Sequence, residues 1–195
     1  SAATSAARRA ALSARIGAWL VMSLAAVPEG VILGGLQAIG IRWFVPAISS
    51  RKWILATTAV GLLGWAVGTA IPLFVFPDPV SQQAESSSLI ATVTFAAVFG
   101  AAVGVVFGIA QAIVLPAGGR AKAQWVLANA LGWAVALPFI YAAANFAADL
   151  STWPARIAVW AIGGLLAGAS IGLATAGALH AMRDRAASNA AGATS

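Results

Sequence analysis

The chain has 195 residues, of which 61% are hydrophobic and only 8% are charged, and its formal net charge is +6. Soluble domains carry about 25% charged residues, so a soluble fold of this length would lack the polar surface that it needs. The composition therefore excludes a soluble protein and predicts an all-α, polytopic transmembrane helical bundle. The chain has no Cys and a single His, which excludes thiolate metal sites and any multi-His metal centre within one copy.

The first fifteen residues are rich in Ser and Ala and contain three Arg, so they predict a frayed tail or a basic surface helix. The first apolar run covers residues 16–41 and contains Pro28 and Glu29. At ~1.5 Å per residue it is longer than the ~30 Å hydrocarbon layer, so it must tilt, kink at Pro28 or project. We expect five crossings, and the alternative is four crossings plus a first segment that re-enters at Pro28.

Four further apolar runs follow and complete a transmembrane domain over residues 16–182. We expect the second span to end at Pro77-Asp-Pro79, before a polar loop over 80–88. Residues 183–195 predict a disordered tail. The four further spans are expected at about 53–76, 89–115, 125–146 and 155–182.

A glycine pattern recurs in the odd-numbered spans, with two Gly four residues apart and a polar residue three further on. Residues four apart share a helix face, so each copy offers a flat strip for close packing in a bilayer. The even-numbered spans share a Gly-Trp pair. We infer a helix hairpin used two and a half times in one orientation, although Ala- and Gly-rich helices also resemble one another by composition. The glycines expected to pack are Gly30, Gly34, Gly64, Gly100, Gly104, Gly108, Gly132, Gly164, Gly168 and Gly172.

The basic residues predict an orientation. Most of them follow the first, third and fifth spans, whereas only Arg156 follows the second or fourth. The positive-inside rule places the first group, and with it the C-terminus, in the cytoplasm. Five crossings then place Arg8, Arg9 and Arg15 outside, against the rule. Because these charges lie in short loops and at the termini, they do not indicate nucleic-acid binding. The first group is Arg42, Arg51, Lys52, Arg120, Lys122, Arg183 and Arg185.

Four polar residues lie within apolar runs and are candidates for an intramembrane site. Glu29 is the only acidic residue well inside a span, and a carboxylate there is costly unless it is partnered or functional. Gln37 and Gln111 occupy equivalent repeat positions, and Asn129 lies in the fourth span. Carboxamides join membrane helices by hydrogen bonds. They could instead line a permeation path together with Glu29.

The aromatic residues and the single His raise further alternatives. Trp65 and Trp133 each follow a Gly inside a span, so they predict helix packing, or stacking on a pigment, quinone or lipid. Most other Trp mark membrane interfaces. His180 lies one turn from the end of the last span, where it is an interfacial polar residue or an axial ligand of a pigment or haem.

The pattern Gly-x-x-x-Gly-x-x-Gln, a basic loop, Trp and then Leu-Gly-Trp-Ala-Val resembles uncharacterised multi-helix membrane proteins of bacteria. The last motif lies at Leu63–Val67 and Leu131–Val135, and the resemblance covers about residues 30–70 and 104–137. It implies the hairpin architecture and a bacterial cytoplasmic membrane, and no established activity comes with it. The third copy departs from the pattern, because Thr175 replaces the Gln and no partner helix follows.

No catalytic motif is present, since there is no HExxH, Walker loop or Ser–His–Asp set, and we expect a protein that is not an enzyme. The first hypothesis is an accessory or scaffolding subunit of a larger membrane complex, such as a respiratory or photosynthetic one, that acts by helix packing. The second is a component of a small-solute or ion transporter that uses Glu29 and the carboxamides. The third is a pigment- or haem-binding protein. Expected partners are membrane lipids and either other membrane subunits or further copies of the chain.

Overall fold

The computed structural model describes residues 2–75 and 89–192, and within these ranges it is all helical, with no strand. Helix α1 is Ala2–Arg42, and α2 is Ser50–Ala70, continued by a π-helical turn at Ile71–Val75. Helices α3, α4 and α5 are Leu89–Val114, Gly119–Ala148 and Trp153–Gly192. Each of the five is long and apolar enough to cross a membrane. The fold is therefore that of a polytopic helical membrane protein.

Helix α1 is longer than the predicted first span, because residues 2–15 form one helix with it. Its 41 residues run through Pro28 without a break, so the segment does not turn back there. Proline removes one backbone hydrogen bond, and membrane helices tolerate this loss where neighbouring groups compensate. Residues 5–18 are exposed along the whole helix circumference, so this first part is not buried against the other described helices.

The remaining helix ends also differ from the predicted limits. The Ser49 side chain caps α2 by accepting a hydrogen bond from the Lys52 backbone N–H at 3.4 Å, so this helix begins three residues early. Helix α5 continues from the predicted end at Met182 to Gly192, through Ala-rich sequence of high helix propensity. The predicted stop at Pro77–Pro79 and the loop 80–88 lie outside the described residues.

The helices pack largely in chain order. Helix α1 packs along α2, α3 along α4 and α4 along α5, while α2 meets α3 over a shorter length. The C-terminal ends of α1 and α3 and residues 178–182 in the second half of α5 share one buried cluster with the first turns of α2 and α4, so the odd-numbered helices run parallel. This cluster comprises Ala38, Ile41, Ile48, Trp53, Ala112, Leu115, Ala121, Trp125, Ala128, Ala178, Leu179 and Met182.

We call this side of the bundle the basic end, because it carries the Arg and Lys residues that flank the α1–α2 loop and the α3–α4 turn, and those near the end of α5. Toward the other end the helices bury little against one another. In the most apolar stretch of each helix, the share of residues buried inside the chain lies between 11% in α5 and 33% in α4. Wide apolar faces are thus left for lipid or other proteins to cover.

Candidate functional site

A polar cluster joins the two helical hairpins near the basic end. In the first hairpin, the Trp53 indole Nε1 donates to Gln37 Oε1 at 3.3 Å, which links the first turn of α2 to α1. In the second, Trp125 Nε1 donates to Gln111 Oε1 at 3.2 Å, which links α4 to α3 in the same way. Each hairpin is therefore closed by one indole–carboxamide hydrogen bond at equivalent places.

The two hairpins are connected through Gln111. Its Nε2 donates to Gln37 Oε1 at 3.1 Å and to Thr57 Oγ1 at 3.2 Å, so one amide group reaches both α1 and α2. The rings of Trp53 and Trp125 meet edge to face, with their centroids 5.5 Å apart. Edge-to-face contact is a favoured arrangement of aromatic pairs. We call these five residues, Gln37, Trp53, Thr57, Gln111 and Trp125, the Gln–Trp cluster.

The Gln–Trp cluster is sealed from the surroundings. Trp53 and Thr57 are fully buried, Gln111 is 1% exposed, and only Gln37 is partly exposed. Carboxamide, hydroxyl and indole groups donate and accept hydrogen bonds but do not titrate near neutral pH. Each interhelical hydrogen bond of this kind in a membrane is worth about 0.6–2 kcal/mol. The cluster is therefore suited to holding helices together and has no group for proton transfer.

Asn129 lies one turn after Trp125 and is 2% exposed. Its Nδ2 donates to the Trp125 backbone carbonyl at 3.0 Å, within its own helix. Its backbone faces Gly104 of α3, where a Cβ atom would collide with it. The structure thus places Asn129 beside the Gln–Trp cluster, at a glycine contact between α3 and α4. Its side-chain hydrogen bond stays within α4 and does not join two helices.

Glu29 lies apart from the carboxamides. It precedes Gln37 by about two turns on α1, its side chain is exposed, and its Oε2 accepts a hydrogen bond from Trp65 Nε1 of α2 at 3.1 Å. The structure therefore brings Gln37 and Gln111 together, places Asn129 next to them, and pairs Glu29 with Trp65 on the outer surface of the first hairpin.

Six of the ten predicted packing glycines lie where a side chain would collide with a neighbouring helix. A Cβ atom on Gly30 would lie 2.7 Å from the Thr58 Cα, and one on Gly34 would lie 3.0 Å from the Ile54 Cα, both in α2. Helix backbones approach this closely only where side chains are absent. The same holds in the second hairpin, where Gly100, Gly104 and Gly108 face α4 and Gly132 faces α5.

The third glycine strip is uncovered. Gly164, Gly168 and Gly172 are exposed, and a Cβ atom on any of them would meet nothing within 4 Å. Helix α5 instead packs on α4 through Gly163, whose added Cβ would meet Ala143. Gly64 of α2 is also exposed with open space around it. The predicted strips of α1 and α3 are thus occupied by the next helix, whereas that of α5 faces outward.

His180 is exposed at the basic end, where its ring meets the Phe44 ring edge-on with centroids 5.1 Å apart. The Arg183 guanidinium lies 5.9 Å from the centroid of the same Phe44 ring. His180 therefore belongs to a surface contact between α5 and the α1–α2 loop. Within the described residues no three His, Asp or Glu side chains gather into a group that could hold a metal ion.

Four participants in these contacts are not singled out by the sequence as hydrogen-bonding partners. Trp53 lies in the first turn of α2 and Trp125 in the second turn of α4, shortly after basic residues, which is also where an interfacial aromatic is expected. The sequence indicates Trp65 as a packing or stacking residue. The available signal was the similar spacing from Gln37 to Trp53 and from Gln111 to Trp125. Thr57, one turn after Trp53, gave no signal of its own.

A scan against protein-family models finds no match to the chain, and searches of curated proteins and of solved structures also find none.

Proposed function

We propose that this protein is a non-enzymatic scaffold subunit that binds another membrane protein through the glycine strip of α5. The observation that carries the proposal is the contrast among the three strips. Those of α1 and α3 lie against α2 and α4, whereas Gly164, Gly168 and Gly172 have open space around them.

A membrane helix gains little from exchanging lipid for another apolar surface, so close backbone contact and interhelical hydrogen bonds drive association. A glycine strip supplies such contact, as Gly30 and Gly34 do against α2. Leu165 and Leu173 flank the α5 strip and are 74% and 78% exposed, so they would pack beside an incoming helix. The partner that fits is therefore a transmembrane helix with small residues at its contact face.

The Gln–Trp cluster supports a scaffold better than a permeation route. Its polar atoms bond one another in a buried position at the end of the bundle. A route that used Glu29 together with the carboxamides would need them on one path, whereas Glu29 faces outward beside Trp65. A rigid connection between the hairpins instead gives the partner helix a fixed surface.

In this proposal the chain crosses a bacterial cytoplasmic membrane five times. Its basic end lies on the cytoplasmic side, as the positive-inside rule favours. The outward face of α5 then presents the glycine strip within the bilayer, where only membrane-embedded partners can reach it.

The test is affinity purification of the tagged protein from its native membrane in mild detergent, followed by mass spectrometry of what it retains. We expect stoichiometric partners with the wild type and their loss with Gly168→Leu. Gly177→Leu is the matched control, because Gly177 lies on the same helix, is exposed and also has open space, but points away from the strip.

A tagged and an untagged copy produced together show whether the partner is a second copy of the chain. A wild-type protein that purifies alone as a monomer would contradict the proposal. So would partners that survive Gly168→Leu as well as they survive Gly177→Leu.

A further inference from the structure

The outer surface of the first hairpin contains a groove that the Gln–Trp cluster and the glycine strips do not use. Its volume is about 780 Å³, within the range of about 300–1,000 Å³ that is typical of small-molecule sites. The walls are apolar through most of its length, and the polar residues lie at one end. The lining residues are Val31, Ile32, Gly35, Leu36, Ala38, Ile39, Arg42, Trp43, Pro46, Ser50 and Ile54.

The groove is about as long as one leaflet is thick. From Val31 to Arg42 the α1 backbone advances about 16 Å, at ~1.5 Å per residue. Half of the ~30 Å hydrocarbon layer is close to this length. Gly35 lies midway along it, and a Cβ atom there would meet nothing within 4 Å, so the groove is open at its centre. An extended hydrocarbon chain fits these dimensions.

The mouth of the groove is positively charged. Arg42 ends α1, and Ser50 begins α2, where the first backbone N–H groups of a helix favour an anion. Arg51 and Lys52 follow directly. In the part of the chain that the structure describes, the one ion pair is Arg183–Asp184, so no carboxylate neutralises Arg42. Trp43, which is 81% exposed, supplies an aromatic ring at headgroup depth.

We propose that this groove binds one anionic glycerophospholipid. An acyl chain lies along α1 from Val31 to Ile39, and the phosphate group binds Arg42 and the start of α2. Charge complementarity selects an anionic over a zwitterionic headgroup, since the mouth carries cationic groups without acidic partners. The site lies on the first hairpin, whereas the glycine strip of the proposed partner contact lies on α5, so lipid binding does not depend on a partner subunit.

The experiment is native mass spectrometry of the full-length protein, delipidated in detergent and titrated with palmitoyl-oleoyl phosphatidylglycerol or with the phosphatidylcholine of the same chains. We expect one phosphatidylglycerol to bind each wild-type chain more tightly than phosphatidylcholine. Arg42→Gln removes a charged hydrogen-bond donor and should weaken phosphatidylglycerol binding roughly tenfold. Its binding should then be similar to that of phosphatidylcholine.

Two substitutions fill the apolar part of the groove. Gly35→Leu should weaken binding of both lipids, since its side chain would occupy the open centre. Leu36→Trp fills the same space from a residue that is already exposed, and it keeps the test valid if Gly35→Leu fails to fold. The matched controls are Gly40→Leu, at an exposed glycine with open space outside the groove, and Arg120→Gln, at an exposed Arg in the first turn of α4. Both should bind as the wild type does.

Equal retention of the two lipids by the wild type would overturn the headgroup assignment. Unchanged binding in both Gly35→Leu and Leu36→Trp, with native helicity by circular dichroism, would overturn the groove assignment. A second copy of the chain that appears in the spectrum and disappears with Gly35→Leu would show that a protein, not a lipid, occupies the groove.

Discussion

At the scale of single residues, the chain satisfies its intramembrane polar groups in pairs. Trp53 with Gln37 and Trp125 with Gln111 each join an indole donor to a carboxamide acceptor. The outer surface of the first hairpin repeats the arrangement with Trp65 and the Glu29 carboxylate. Hydrocarbon offers these groups no other hydrogen-bonding partner. A hydrogen bond between two helices therefore stabilises the packed pair relative to the separated helices.

Gln111 has the largest share in this network, since it bonds Gln37, Thr57 and Trp125. We expect Gln111→Leu to lower the free energy of unfolding by about 1–3 kcal/mol, because it leaves buried partners without their hydrogen bonds. The measurement is the free energy of unfolding of the detergent-solubilised protein, with circular dichroism monitoring the loss of helix. Gln37→Leu combined with Gln111→Leu should cost less than the sum of the two single changes, because they share a hydrogen bond.

Asn145→Leu is the control for this prediction. Asn145 is an exposed carboxamide in α4 that bonds only the Tyr141 carbonyl of its own helix, so its loss should leave stability nearly unchanged. Equal effects of Gln111→Leu and Asn145→Leu would show that the cluster does not hold the hairpins together.

At the scale of the helices, the apolar runs were enough to predict five helices long and apolar enough to cross a membrane, but not which way each helix faces. A soluble helix reveals its inward side through polar residues on the other side. Helices such as α3 and α5 are apolar around most of their circumference, so this signal is missing. Gly34 and Gly168 therefore look alike in the sequence, although one contacts α2 and the other faces outward.

Helix ends were hard to place for a related reason. The predicted limits followed hydropathy, which indicates the part of a helix that lies in the hydrocarbon layer. A helix itself continues as long as its backbone hydrogen bonds can form and its residues favour the helical conformation. Residues 2–15 and the Ala-rich stretch after Met182 are helical although they are less apolar than the spans. The pairing of Gln37 with Gln111 could be anticipated only as a repeat position, since their contact depends on how α2 and α3 meet.

Alanine substitution separates occupied glycine positions from open ones. In α3, a Cβ atom on Gly104 would lie 2.7 Å from the Ala130 Cα, so Gly104→Ala must push α4 away and should destabilise the protein by about 1–3 kcal/mol. Gly64 of α2 has open space, so Gly64→Ala should be neutral or stabilise the protein by up to about 1 kcal/mol through helix propensity. Thermal unfolding of the two variants side by side measures the difference, and stability losses of equal size would contradict the helix packing described above.

At the scale of the whole molecule, the two ends of the bundle differ in charge and in packing. The Gln–Trp cluster lies at the basic end, where the buried apolar cluster joins all five helices. The proposed lipid headgroup would bind at the same end. Positive loops fix the orientation of a membrane protein, so the tightly packed end is expected on the cytoplasmic side, and the less tightly packed helices extend toward the other face.

This orientation is testable because the chain has no Cys, so a single introduced Cys reports its own side of the membrane. Ser151→Cys lies in the α4–α5 turn, opposite the basic end, and should react in intact cells with a maleimide reagent that cannot cross the membrane. Ser188→Cys, on α5 beyond the basic end, should react only after the membrane is permeabilised. Both Ser residues are exposed, so accessibility within the protein does not limit either reaction.

Ser13→Cys then decides the number of crossings. With five crossings the exposed start of α1 lies outside, together with Arg8, Arg9 and Arg15, and Ser13→Cys should react in intact cells as Ser151→Cys does. The positive-inside rule opposes this placement, but the uninterrupted α1 helix requires it once Arg42 is cytoplasmic. If Ser13→Cys were protected in intact cells while Ser188→Cys was also protected, the number of crossings would be even. The continuous α1 could then not span the bilayer in this orientation.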